Sequence, residues 1–114
     1  DIYVGLRKNR SWCEKFGERY VYVVYNYFTP EKVTTILDDM VKTMEPEMAR
    51  HIKRWGIPSS MSAWKSSVSD LRGCLQKRTD YALSSLQKEF GFSNAQMEQW
   101  KANATAQPVA AAAE

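Results

Sequence analysis

The chain has 114 residues, 16 basic against 13 acidic side chains, a formal charge of +3 and 44% hydrophobic residues. That length fits one domain, and the apolar content excludes a charge-driven disordered chain. The two signs of charge are interspersed, which argues against a basic nucleic-acid stripe, and no apolar run approaches the ~20 residues of a membrane span.

Residues 1–10 read as a lead-in. Ile2, Tyr3, Val4 and Leu6 are apolar and Arg7-Lys8-Asn9-Arg10 is polar, with room for a short strand over residues 2–6. Asp1-Ile2-Tyr3-Val4 is not the start of a signal peptide. Ser11-Trp12-Cys13-Glu14 has the S-x-x-E form of a capping box, in which serine and glutamate satisfy each other's orphan amides. Trp12, Phe16, Tyr20, Val23, Val24, Tyr27 and Phe28 follow at helical spacing, so a helix is predicted over about residues 12–28. Cys13, Val21, Tyr22 and Tyr25 make its other faces apolar too. A helix of that girth is expected to pack on several sides, against more protein than this chain supplies, with apolar surface left near Tyr22 and Tyr25.

Thr29-Pro30 predicts a stop and a restart, with Thr29 as N-cap and Pro30 at the first helical position. Val33, Ile36, Leu37, Met40, Val41 and Met44 give the clearest helical period of the chain. Pro46 disfavours helical geometry at Glu45, so a separate helix is predicted from there, with Met48, Ile52 and Trp55 in the core and Arg50, Lys53 and Arg54 toward solvent. Gly56 and Pro58 end it. Ser59 and Ser60 are placed to cap a helix carrying Met61, Trp64, Val68, Leu71 and Leu75. The polar run from Gln76 to Asp80 predicts a turn or kink. Leu83, Leu86 and Phe90 form another face that stops at Gly91, and Ser93-Asn94-Ala95-Gln96 is a second capping box, opening a helix with Met97 and Trp100. From Ala102 to Glu114 the chain is alanine-rich and reads as a flexible tail. The expectation is an all-α chain of about five to six short amphipathic helices: a lead-in over 1–10, a helical domain over 11–101, and a tail over 102–114.

Candidate chemistry is sparse. Cys13 and Cys74 are the only cysteines and His51 the only histidine. They fall short of the about four ligands of a structural zinc site. A Cys13–Cys74 disulfide is open, but two separate thiols on helix faces is the plainer reading. His51, with Glu47 four residues before it, reads as a surface histidine held on a helix face rather than a general base, because no partner nucleophile accompanies it. Arg50, Lys53 and Arg54 beside Trp55 have the composition of a phosphate grip or, more commonly, of a solvated face over a core tryptophan. Asp38 and Asp39 are adjacent on a helix, point about 100° apart, and cannot converge on a metal without other ligands. No glycine-rich phosphate loop or metalloprotease motif is present. Asn9-Arg10-Ser11 and Asn103-Ala104-Thr105 match the short N-glycosylation pattern, which occurs often by chance. No catalytic, cofactor-binding or metal-binding residue is assigned.

The order of signals from Phe16 to Gly91 resembles a known family. Phe16, Arg19 and Tyr20 come first, then Tyr27-Phe28-Thr29-Pro30-Glu31-Lys32-Val33 and Leu37-Asp38-Asp39-Met40. The specific part is Glu45-Pro46-Glu47-Met48-Ala49-Arg50-His51-Ile52-Lys53-Arg54-Trp55-Gly56. Trp64, Leu71, Arg78 and Phe90-Gly91 follow. This is similar to the C-terminal helical part of the spore coat protein H (CotH) kinase-like family. The resemblance implies an atypical kinase-like fold that transfers phosphate from ATP, with Mg, to serines of target proteins in the spore coat, in secretions or at the cell surface. It also implies that the nucleotide and metal ligands precede the segment seen here. Asp38 and Asp39 then match a helix of the family and not its metal site. The expected role is an inert C-terminal structural lobe whose partner is the N-terminal part of its own domain or a self-associating copy. Neither nucleic acid nor membrane is expected as a partner. The alternative is a self-contained helical protein-interaction module.

Overall fold

A computed structural model describes residues 1–107. It contains five helices: α1 (Ile2–Leu6), α2 (Arg10–Tyr27), α3 (Pro30–Trp55), α4 (Met61–Phe90) and α5 (Asn94–Ala106). No strand occurs among the described residues, so the chain is all-α, and residues 2–6 are helical. They form α1, capped by the Asp1 side chain accepting from the Tyr3 amide.

The helices fall into two compact units, one of residues 1–29 and 79 onward, the other of residues 30–78, with α4 contributing to both. Residues 1–10, expected as a lead-in, belong to the first of these units.

In the first unit, α2 packs extensively against α5. Val21, Leu86, Phe92 and Trp100 form the buried cluster, with Cys13, Phe16, Tyr20, Tyr25, Leu83, Phe90 and Met97 against it. The deepest line of α2 is Gly17, Val21 and Val24. Counting large side chains points instead to Trp12, Phe16 and Tyr20, which are half-buried. The difference is steric: Gly17 has no Cβ, and the rings of Phe92 and Trp100 occupy that space. Asn26 is buried among these helices. Its Nδ2 donates to the carbonyls of Tyr22 and Ala104, 3.0 and 3.1 Å away, and so ties α2 to α5.

Caps settle the helix ends. The first capping box does not form. Asn9, not Ser11, is the N-cap of α2, accepting from the Trp12 amide at 3.1 Å, and Glu14 turns to Arg10. Asparagine is at least as good a cap as serine, and choosing it adds residues to the helix. The second box forms as expected, Ser93 and Gln96 satisfying each other's backbone. Gly91 ends α4 at φ 67°, and the Phe92 amide returns to the Gln87 carbonyl at 3.2 Å. That six-to-one bond is a Schellman motif, and it delivers Phe92 into the core. The expected tail begins later than Ala102: α5 continues to Ala106 because Ala104 is packed, at 2% exposure. Residues 108–114 of that tail lie outside the described residues.

In the second unit, α3 runs through Pro46 without the expected break, and α4 runs through 76–80 without the expected turn. Proline removes one helical hydrogen bond at a cost of about 3 kcal/mol. Burial of Leu37 before it and Met48 after it holds the helix on one course. Gln76, Lys77 and Arg78 are good helix formers despite their polarity. Thr79, the next residue, is buried in the first unit, where its hydroxyl donates to the Phe28 carbonyl at 2.6 Å. Gly56 takes φ 68°, a cis bond joins Ile57 to Pro58, and Ser60 accepts from the Ala63 amide to start α4.

Candidate functional site

Two ion pairs join α3 to the early part of α4: Asp38 with Arg72, and Glu45 with Lys65 at 2.9 Å. On each helix the two partners are seven residues apart, in opposite order. The pairs therefore report one antiparallel register. The Arg72 hydrogen bond, reinforced by its charge, holds the Asp38 carboxyl below the ordinary aspartate value and raises Arg72 correspondingly. Asp38 is thus a strut between helices. Its neighbour Asp39 lies beside Ile36, Met40, Thr43 and Met44 along an open groove of about 410 Å³. The two aspartates face different surroundings, as adjacent helical positions must.

The same register explains a reversal at the end of α3. Met48 is buried and Ile52 half-buried, but Trp55, expected in the core, is 62% exposed. Extending the register places the first residue of α4, Met61, opposite position 49. Trp55 therefore overhangs by about 9 Å at 1.5 Å per residue. It has the correct helical face and no opposing helix. Arg54 covers its ring instead, with the guanidinium 5.0 Å from the centroid.

The remaining candidates do not converge. His51 is exposed, and Glu47, expected beside it, pairs with Arg50 at 3.2 Å. Lys53 and Arg54 point to solvent with Arg50, as the spacing predicts. Cys13 and Cys74 are free thiols, not a disulfide, and Cys13 Sγ donates to the Arg7 carbonyl at 3.3 Å. Asn9 is engaged as a helix cap, and Asn103 accepts from Gln99 at 3.1 Å. Among the described residues, no three His, Cys, Asp or Glu side chains gather to hold a metal ion.

Sequence reasoning passed over Arg7 as a polar linker residue. It pairs with Glu89 at 2.7 Å, donates to the Glu89 carbonyl, and lies over the rings of Tyr3 and Phe90. It lines a hollow of about 180 Å³ with Lys8, Arg10, Cys13 and Glu14. Two of the three cations there are already matched, Arg7 by Glu89 and Arg10 by Glu14. No local pattern announces that role, because its partners lie some eighty residues away. Tyr22 and Tyr25 are half-buried, Tyr22 under Arg19 at 4.8 Å and Tyr25 against the core. The exposed apolar residues of the first unit are Ile2, Tyr3, Val4 and Leu6 of α1, with Tyr27, Phe28 and Tyr81. No helix among the described residues is long and apolar enough to cross a membrane.

The described residues form an all-α segment in which charged groups brace helices, caps fix their ends and some apolar side chains are left uncovered. Its lineage is nevertheless definite: residues 3–82 match the CotH kinase protein family, and the chain belongs to that family. The match begins thirteen residues before Phe16 and ends before Phe90-Gly91, so it takes in nearly all of α1. No curated protein and no solved structure matches the chain.

Proposed function

We propose that this chain is the C-terminal helical lobe of a CotH-type protein kinase, a structural support that is catalytically inert by itself. The whole protein would transfer phosphate from ATP to serines of secreted or spore coat proteins. The observation that carries the reading is the engagement of Asp38 by Arg72 inside a family-matched helix. Phosphoryl transfer depends on a phosphate cradle, carboxylates that hold Mg²⁺ and a positioning base. The residues described do not fit Mg-ATP: the adjacent aspartates diverge, and one is committed to a strut. The ligands for nucleotide and metal then belong to the rest of the protein, which docks on the exposed apolar residues of α1 and the end of α2.

Calorimetric titration with Mg-ATP tests this, run on the isolated chain and on a longer protein that carries the rest of the domain. The expected result is no binding by the isolated chain, and binding with phosphate transfer to a serine peptide by the longer one. Submillimolar nucleotide binding by the isolated chain overturns the reading.

A further inference from the structure

The basic end of α3 is uncovered. From sequence, Arg50, Lys53 and Arg54 read as an anion grip or, more commonly, as a solvated face over a core tryptophan, and the second reading needs a buried ring. Trp55 is instead 62% exposed, and Ile57 just beyond it is 75% exposed. Met48, Ile52 and Trp55 form one apolar line on the helix, within about 60° of one another. Met48 is buried, Ile52 half-buried and Trp55 exposed, in step with their distance from the start of α4. The last turn of α3 therefore presents a helix-packing line with no segment opposite it.

The charges around that line choose its occupant. Between Glu47 and Asp70 the chain has no acidic residue, and its cations there are Arg50, Lys53, Arg54 and Lys65. Two of them are matched by carboxylates that precede the stretch, Arg50 by Glu47 at 3.2 Å and Lys65 by Glu45 at 2.9 Å. Lys53 and Arg54 make no ion pair among the described residues, and Arg54 lies over the Trp55 ring at 5.0 Å. A guanidinium stacked on a ring keeps its N–H edge free for a carboxylate. Arg50, Lys53 and Arg54 stand at i, i+3 and i+4, neighbours on one helix face beside Trp55. The start of α4 adds to the field. Ser60 caps the Ala63 amide, while the Met61 and Ser62 amides keep the partial positive charge of a helix start. Cations in a last turn also complement the helix dipole, a role that accounts for Lys53 and Arg54 but leaves Trp55 and Ile57 without cover.

We propose that the end of α3 docks an acidic segment of a partner protein, one that seats a bulky apolar side chain on Trp55 and carries carboxylates across Arg54 to Lys53. A protein segment fits because the uncovered place continues a line on which helices pack. Two unmatched cations are too few for the basic stripe of a nucleic-acid binder. The contact falls well short of the ~800 Å² per partner of a standard interface, so binding is weak and sensitive to salt. This inference is independent of the kinase reading: it involves neither nucleotide nor the first unit, and its failure would leave that reading intact.

Fluorescence anisotropy of the labelled peptide Gly-Glu-Asp-Leu-Phe-Glu-Asp-Gly, titrated with the 114-residue chain, tests this. Half-saturation is expected on the order of 100 µM at low salt, as for a small interface, and should weaken as salt is added. Lys53→Glu combined with Arg54→Glu should weaken binding at least about tenfold, and Trp55→Ala about fivefold, since one loses the charge match and the other the apolar anchor. Lys77→Glu, the same charge change far along α4, should leave binding unchanged. All the substituted side chains are exposed, and unchanged thermal unfolding shows that each variant is folded. A peptide with its acids replaced by lysine should not bind, and one with Leu-Phe replaced by Ala-Ala should bind as weakly as Trp55→Ala. Absence of saturable binding overturns the proposal, as does binding indifferent to the Lys53→Glu, Arg54→Glu pair. Phosphatidylserine vesicles or a single-stranded oligonucleotide held more tightly than the peptide, and lost in that double variant, would assign the surface to a different polyanion and overturn it too.

Discussion

Replacing Gly17 by alanine puts the packing of the first unit to the test. A glycine in mid-helix ordinarily costs stability, and alanine there gains about 1 kcal/mol. At Gly17 the added Cβ would stand 2.6 Å from Phe92 Cε2 and 2.8 Å from Phe92 Cζ and Trp100 Cζ3. Carbon atoms prefer about 3.5–4.0 Å, so the overlap approaches 1 Å. Neither ring has room to retreat. Phe92 and Trp100 are 8 and 9% exposed and meet edge to face at 4.8 Å between centroids. Overpacking of this kind costs about 1–3 kcal/mol, which outweighs the helical gain in most of that range. Gly73 of α4 is the matched control, because nothing lies within 4 Å of a Cβ built there. Gly17→Ala is expected to lower the urea midpoint, with a net loss of up to about 2 kcal/mol. Gly73→Ala should raise the midpoint by the equivalent of ~0.5–1 kcal/mol. Both are read by circular dichroism and tryptophan fluorescence, with unchanged slope showing that stability alone has moved. A Gly17→Ala chain as stable as the wild type would refute the close approach of α2 to the Phe92–Trp100 pair.

Two further outcomes follow from the geometry. Trp100→Ala should cost about 3–5 kcal/mol, whereas Trp55→Ala, at a 62% exposed overhang, should cost far less in thermal denaturation; equal losses would contradict the register of α3 on α4. The Asp38 carboxyl titrates below its ordinary value, so its stabilising contribution is present above that value and is lost as pH falls through the lowered one. Asp38→Asn should therefore be less stable than the wild type at neutral pH, and the two denaturation curves should converge in acid below the ordinary aspartate range; a gap that persists there would show that Arg72 is not its cause.

Helical class, the restart at Pro30, the second capping box and the stops at Gly56 and Gly91 were legible in the sequence, because each rests on neighbours a few residues apart. So was the family, through the block from Glu45 to Gly56, since a run of specific residue types needs no fold to be read. Tertiary structure decided what depends on distant partners. Pro46 stays inside one helix because burial on both sides of it outweighs a local preference worth a few kcal/mol. Trp55 is exposed because α4 begins too late to face it, a matter of register that hydrophobic spacing does not contain. Gly17 marks the closest packing of α2 because two rings from beyond α4 fill the place of its missing side chain. Hydrophobic periodicity identifies which face of a helix can be buried, and only the positions of the other helices determine how far along that face burial extends.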